Sequence, residues 1–60
     1  MWVSIFVTND KGKAEEIMAR LDNEGIMNRI RPMKDKKLER QIEIQVLESE
    51  AVDAQQILFS

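Results

Sequence analysis

The sequence predicts a single α+β domain of element order βαββα, a three-stranded antiparallel sheet carrying two helices on one face. Three observations point there. Segment 41–46, Gln-Ile-Glu-Ile-Gln-Val, alternates strictly between polar and apolar side chains, the period of a strand with one buried face. Segment 2–8 is rich in β-branched and aromatic residues and alternates as well. Between the two, Ala14, Ile17, Met18 and Leu21 recur at the i, i+3, i+4, i+7 spacing of one helical face. Sixty residues, 43% of them apolar, suffice for one small core and no second domain. A chain this short buries only roughly 60% of its unfolded surface, so it gains from a disulfide, a metal or a partner subunit. It has no Cys and no His, which removes the disulfide, the thiolate and imidazole metal ligands, and the usual general base.

Taken in order, strand one covers 2–8, with Val3, Ile5 and Val7 expected toward the helices and Trp2, Ser4, Phe6 and Thr8 on the other face. Asn9 and Asp10 follow with side-chain oxygens suited to a helix N-terminus, and helix one is expected to end before Gly25, which accepts the left-handed conformation that closes helices. Glu16 and Arg20 form an i, i+4 pair on its solvent side, while Gly12 weakens its first turn. From Ile26 onward helix signals vanish. Pro32 lacks a backbone donor, so strand two is an edge strand ending about Arg31. Its facing is left open between Ile26, Asn28 and Ile30 inward with Met27, Arg29 and Arg31 outward, and the opposite register, which would bury two arginines at a cost unless they found partners. A charged connector spans 34–39. Strand three covers 41–46 and turns Ile42, Ile44 and Val46 inward. Ser49 is the expected N-cap of helix two, with Glu50 and Asp53 in its first turn and Ala51, Ala54, Ile57 and Leu58 on its buried side.

If the connector closes a hairpin, strand three lies between strands one and two and every neighbour is antiparallel. That is a ferredoxin-like arrangement lacking its fourth strand. In the complete fold the fourth strand covers the outer edge of strand one; here that edge would keep unpaired amides and carbonyls.

Several segments carry a family likeness: the opening Trp2-Val3-x-Ile5-Phe6, the helix stripe running into Asn23-Glu24-Gly25-Ile26, the Arg29-Ile30-Arg31-Pro32 strand, and Ile44-Gln45-Val46-Leu47-Glu48-Ser49-Glu50 leading into a helix that ends near Leu58. Over almost its whole length the chain resembles a family of small signal-transducing domains of bacteria. That family is of unknown function and related in fold to the PII-type (GlnB-like) ferredoxin-like proteins. Leu47 stands where relatives commonly carry a proline. Some relatives are labelled glutamate decarboxylase. That activity does not transfer, because pyridoxal phosphate chemistry needs a Schiff-base lysine, a partner for the pyridine nitrogen and a phosphate cradle in a closed pocket, which 60 residues with two glycines do not readily enclose. No cofactor is therefore expected.

Two surfaces stand out as candidate sites. The open sheet face would present Trp2, Ser4 and Phe6, and exposed aromatics favour a binding or dimer surface over the alternative in which Trp2 curls over the domain edge. The second surface is basic. Arg29, Arg31, Lys34, Lys36, Lys37 and Arg40 face only Asp35 and Glu39 between positions 29 and 40, a local charge of +4 in a chain of net charge −2. Residues 41–60 carry −4 with no Lys or Arg. Arg29, Arg31, Lys34, Lys37 and Arg40 could hold a phosphate or another anion, although such runs are more often solvated or paired, as with Glu43 across the hairpin. Nucleic acid is disfavoured by the overall acidity and by the lack of aromatics among the basic residues.

Glu15 and Glu16 diverge by about 100° on their helix, Glu48 and Glu50 flank a helix start, and Ser4, Ser49 and Ser60 have no His to activate them, so no catalytic constellation emerges. The expected protein is a non-enzymatic regulatory or interaction module. It is expected to self-associate as a homodimer through strand one and the open face, with another protein partner or a small nucleotide or phosphorylated ligand as alternatives. Nothing approaches the 18 or so apolar residues of a membrane span, and Met1 to Phe6 lacks the pattern of a signal peptide, so the expected location is the cytoplasm.

Overall fold

A computed structural model describes residues 1–32 and 41–59. The order is β1 (Trp2–Thr8), α1 (Lys11–Asn23), β2 (Asn28–Pro32), β3 (Ile42–Leu47), a 3-10 turn (Glu48–Glu50) and α2 (Ala51–Phe59). The strands form one antiparallel sheet of order β1-β3-β2, the α+β arrangement expected from the sequence. The connector expected to close the hairpin between the last two strands lies outside the described residues.

Both helices pack on the same sheet face. Ala14, Ile17 and Leu21 of α1 and Ala54 of α2 join Ile26 and the fully buried Ile44 and Val46 of β3 in a single core cluster. Ala51, Ile57 and Leu58 add the partly buried flank of α2. The strict alternation of β3 supplies this core directly. Residues paired across antiparallel strands share a face, and Ile44 pairs with Ile30 of β2 and with Phe6 of β1.

Helix α1 starts and stops where its punctuation dictates. The Asp10 carboxylate accepts from the Lys13 amide at 3.2 Å, and the Asp10 amide donates to Thr8 Oγ1 at 3.1 Å. At the other end Gly25, at φ +74°, donates to the Asp22 carbonyl and Ile26 donates to that of Leu21, the paired bonds of a Schellman closure. Ile26 is thereby folded back into the core beside Leu21 rather than opening β2, which begins two residues later.

Three local expectations are corrected. Strand β2 starts at Asn28 rather than at Ile26, and it ends at Pro32, within a residue of the expected end, because on an edge strand a missing amide hydrogen need not cost a ladder bond. Ser49 does not cap helix two. The Glu48 amide donates to the Met1 carbonyl at 2.8 Å, so the chain enters the 3-10 turn straight from β3, with Leu47 at the cap position and no side-chain cap bond, and Ser49 falls inside the turn. Glu16 pairs with Lys13 at 3.7 Å rather than with Arg20, whose guanidinium donates to the Ile57 carbonyl of α2.

Candidate functional site

The uncovered sheet face depends on a β-bulge in β1. Ser4 pairs with Gln45, but the next residue to find a partner is Phe6, opposite Ile44, leaving Ile5 as the extra residue. The bulge turns the alternation over halfway along the strand. Val3, Ile5 and Phe6 all pack against the core, and Val7 emerges opposite Glu43 with 46% of its surface exposed.

This overturns the expected facing of three residues, Phe6, Val7 and Thr8, the last of which pairs with Ile42 on the helix side rather than standing on the open face. Phe6, expected on the uncovered face, lies partly buried on the helix side, and Val7, expected inward, takes its place. The physical reason is visible in the run Ile5-Phe6-Val7: a regular strand would bury Ile5 and Val7 and leave the large Phe6 ring out, whereas the bulge buries Ile5 and Phe6 and leaves only the smaller Val7 exposed. That run was the signal in the sequence for Val7, which pattern reading missed.

The face that remains is a cross-strand strip. Trp2 and Leu47 form one directly opposed pair; Ser4, Gln45 and Arg29 form the next row; Val7, Glu43 and Arg31 form the last. Its polar groups are linked. Arg29 Nε donates to Gln45 Oε1 at 2.7 Å, and Gln45 Nε2 donates to Glu43 Oε1. The Arg29 guanidinium also lies over the half-buried indole of Trp2, 4.3 Å from the ring centroid. Gln45 and Leu47 thus belong to the site, although neither stood out in the sequence beyond its outward parity.

Of the candidate anion-binding residues, Arg29 and Arg31 share this face and point away from the helices, which resolves the facing of strand two that the sequence left open. Arg29 is engaged by Gln45 and Trp2, while Arg31 is exposed opposite Glu43. Lys34, Lys37 and Arg40 lie outside the described residues. Of the candidate interface residues, Trp2 and the exposed Ser4 stand on the open face, and Phe6 does not.

Along its other side β1 has no strand partner among the described residues. No segment of β1 carries a charge, although a third of the chain is charged. Elsewhere, Arg20, Asn23, Glu24 and Ile57 line a depression of about 210 Å³ between the C-terminal ends of the helices. There the Arg20 guanidinium is occupied in holding the last turn of α2. Among the described residues no three His, Cys, Asp or Glu side chains gather as a metal ion would require, and no helix is long and apolar enough to cross a membrane. No protein-family model, curated protein or solved structure matched this chain.

Proposed function

We propose that this chain is a non-enzymatic interaction module of regulatory type that works as a homodimer, two copies pairing their β1 strands antiparallel about a two-fold axis. The observation that carries the reading is the edge of β1. It is seven residues long, uncharged and hydrogen-bonded to a neighbour on one side only among the described residues, the geometry that accepts another strand. A two-fold pairing is self-complementary, and it supplies burial that so short a chain lacks. The adjoining open face, with Trp2, Ser4 and Val7, lies along the same strand and forms the rim of that contact. The family resemblance in the sequence agrees with a regulatory role and adds no chemistry to it.

Sedimentation velocity across the micromolar range tests the reading. The expected result is a concentration-dependent dimer that Trp2→Ala weakens modestly, since Trp2 stands on the rim of the contact. A protein that stays monomeric at high micromolar concentration overturns it.

A second reading, a sensor of a phosphorylated small molecule, is favoured by the exposure of Arg31 next to the basic segment. Thermal shift against nucleotides and sugar phosphates separates the two, because only the sensor is stabilised by such ligands and only there does Arg31→Ala abolish the shift.

A further inference from the structure

The free edge of β1 offers its backbone groups at Trp2, Ser4 and Val7. The Glu48 amide donates to the Met1 carbonyl, so Glu48 turns its backbone groups toward β1, and the alternation of an antiparallel ladder makes Val46, Ile44 and Ile42 do the same. Their partners Val3, Phe6 and Thr8 are thereby engaged. Trp2, Ser4 and Val7 stand opposite Leu47, Gln45 and Glu43, whose backbone groups face β2, and so direct their own amides and carbonyls outward. Pro32 agrees with this phase. Opposite Ile42 its nitrogen faces away from β3, where the missing hydrogen costs no ladder bond.

We infer that two copies pair their β1 strands in one register, with Ser4 against the second copy's Ser4 on the two-fold axis and each Trp2 against the second copy's Val7. The inference rests on the homodimer reading above and fixes which residues meet in it.

The first support is spacing. Ile5 is the extra residue of the bulge, so Trp2, Ser4 and Val7 lie at equal intervals along β3, opposite every second residue of Leu47, Gln45 and Glu43. Ser4 is therefore the midpoint of the outward groups. An axis through it brings all three positions of each strand into hydrogen-bonded pairs, each exchanging two backbone bonds. An axis through Val3 would pair Trp2 with Ser4 and leave the groups of Val7 without a partner.

The second support is the side chains. The residues that direct their backbone outward are also those of β1 that stand on the open face. Trp2 is half-buried, Val7 is exposed, and the small Ser4 lies exposed between them. The order apolar, small, apolar is self-complementary about its centre. Reversed against itself it sets an aromatic beside a β-branched side chain at both ends, a favourable cross-strand pair, and one hydroxyl beside the other in the middle. None of the three carries a charge, so no like charges meet across the axis.

Cysteine cross-linking tests the register, because the chain has no cysteine of its own. Hydrogen-bonded antiparallel partners have Cα atoms about 5.5 Å apart, within the span of a disulfide. Ser4→Cys should oxidise to a covalent dimer at least about tenfold faster than Trp2→Cys or Val7→Cys alone, whose thiols would lie about 13 Å from their own copies along the strand. An equimolar mixture of Trp2→Cys and Val7→Cys should form the mixed dimer. Far-ultraviolet circular dichroism checks that each variant keeps the wild-type fold; should Trp2→Cys lose it, Ser4→Cys against Val7→Cys decides. A wild-type dimer whose Ser4→Cys variant cross-links no faster than the others, or more slowly than Val3→Cys, overturns the register while leaving β1 pairing intact. A wild-type protein that is itself monomeric in sedimentation velocity overturns both.

Discussion

The guanidinium of Arg29 roofs the ring of Trp2 at 4.3 Å although the two residues sit on opposite outer strands of the sheet. The Arg29 side chain spans the whole width of β3 to reach it, and its Nε is held on the way by Gln45. Trp2, the single tryptophan of the chain, is therefore neither free on the surface nor part of the core.

The contact predicts a measurable coupling. In a double-mutant cycle of Trp2→Leu and Arg29→Met followed by urea denaturation, the two changes should be non-additive by about 0.5–1 kcal/mol, the range of a partly exposed cation–π pair. Arg29→Met should also shift the fluorescence emission of the lone tryptophan to the red by opening the ring to water. Strictly additive stabilities with unchanged emission would mean that the two side chains do not meet.

The bulge predicts opposite sensitivities at adjacent positions. Phe6→Ala removes a ring packed on the core and should cost at least about 2 kcal/mol, somewhat below the loss for a fully buried phenylalanine. Val7→Thr, on the exposed face, should stay within about 0.5 kcal/mol. The reverse order in a thermal or urea melt would restore the uninterrupted alternation.

Gly25 predicts a purely conformational penalty. A Cβ built there meets nothing within 4 Å, so Gly25→Ala introduces no clash, yet φ of +74° should make it about 1–2 kcal/mol less stable than wild type. Gly25→Asn should lose less, because Asn tolerates this region better. Equal losses for the two variants would contradict a left-handed closure.

The two helix starts predict unequal effects of cap removal. Asp10→Ala leaves the Lys13 amide without its partner and should cost about 1 kcal/mol. Ser49→Ala removes a hydroxyl that caps nothing and should change stability by less than about 0.5 kcal/mol. Chemical denaturation of the two single variants side by side checks the contrast.

Much of the fold could be read from residues whose meaning is local. Asp10 and Gly25 act on backbone groups within four positions of themselves, and the alternation of β3 needs only a sheet face to bury. The facing of Asn28, Arg29, Ile30 and Arg31 stayed open in the sequence, where only the cost of burying two guanidinium groups favoured one side, and it is the pairing with β3 that fixes it. What escaped was set by neighbours distant in the chain. The bulge at Ile5 exists only relative to the register of β3. Likewise, the failure of Ser49 to cap follows from the Met1 carbonyl taking the Glu48 amide. The candidate site suffered most from this, since one displaced residue exchanged Phe6 for Val7 while Trp2 and Ser4, before the bulge, kept their facing.

The central place of β3 has a consequence for how the molecule breathes. It is the only strand with a neighbour on each side among the described residues, and Ile44 and Val46 lie beneath both helices. Amide protons within β3 should accordingly be the last to exchange with deuterated solvent, released only when the whole domain opens, whereas those of β2, at the rim, should exchange through fraying.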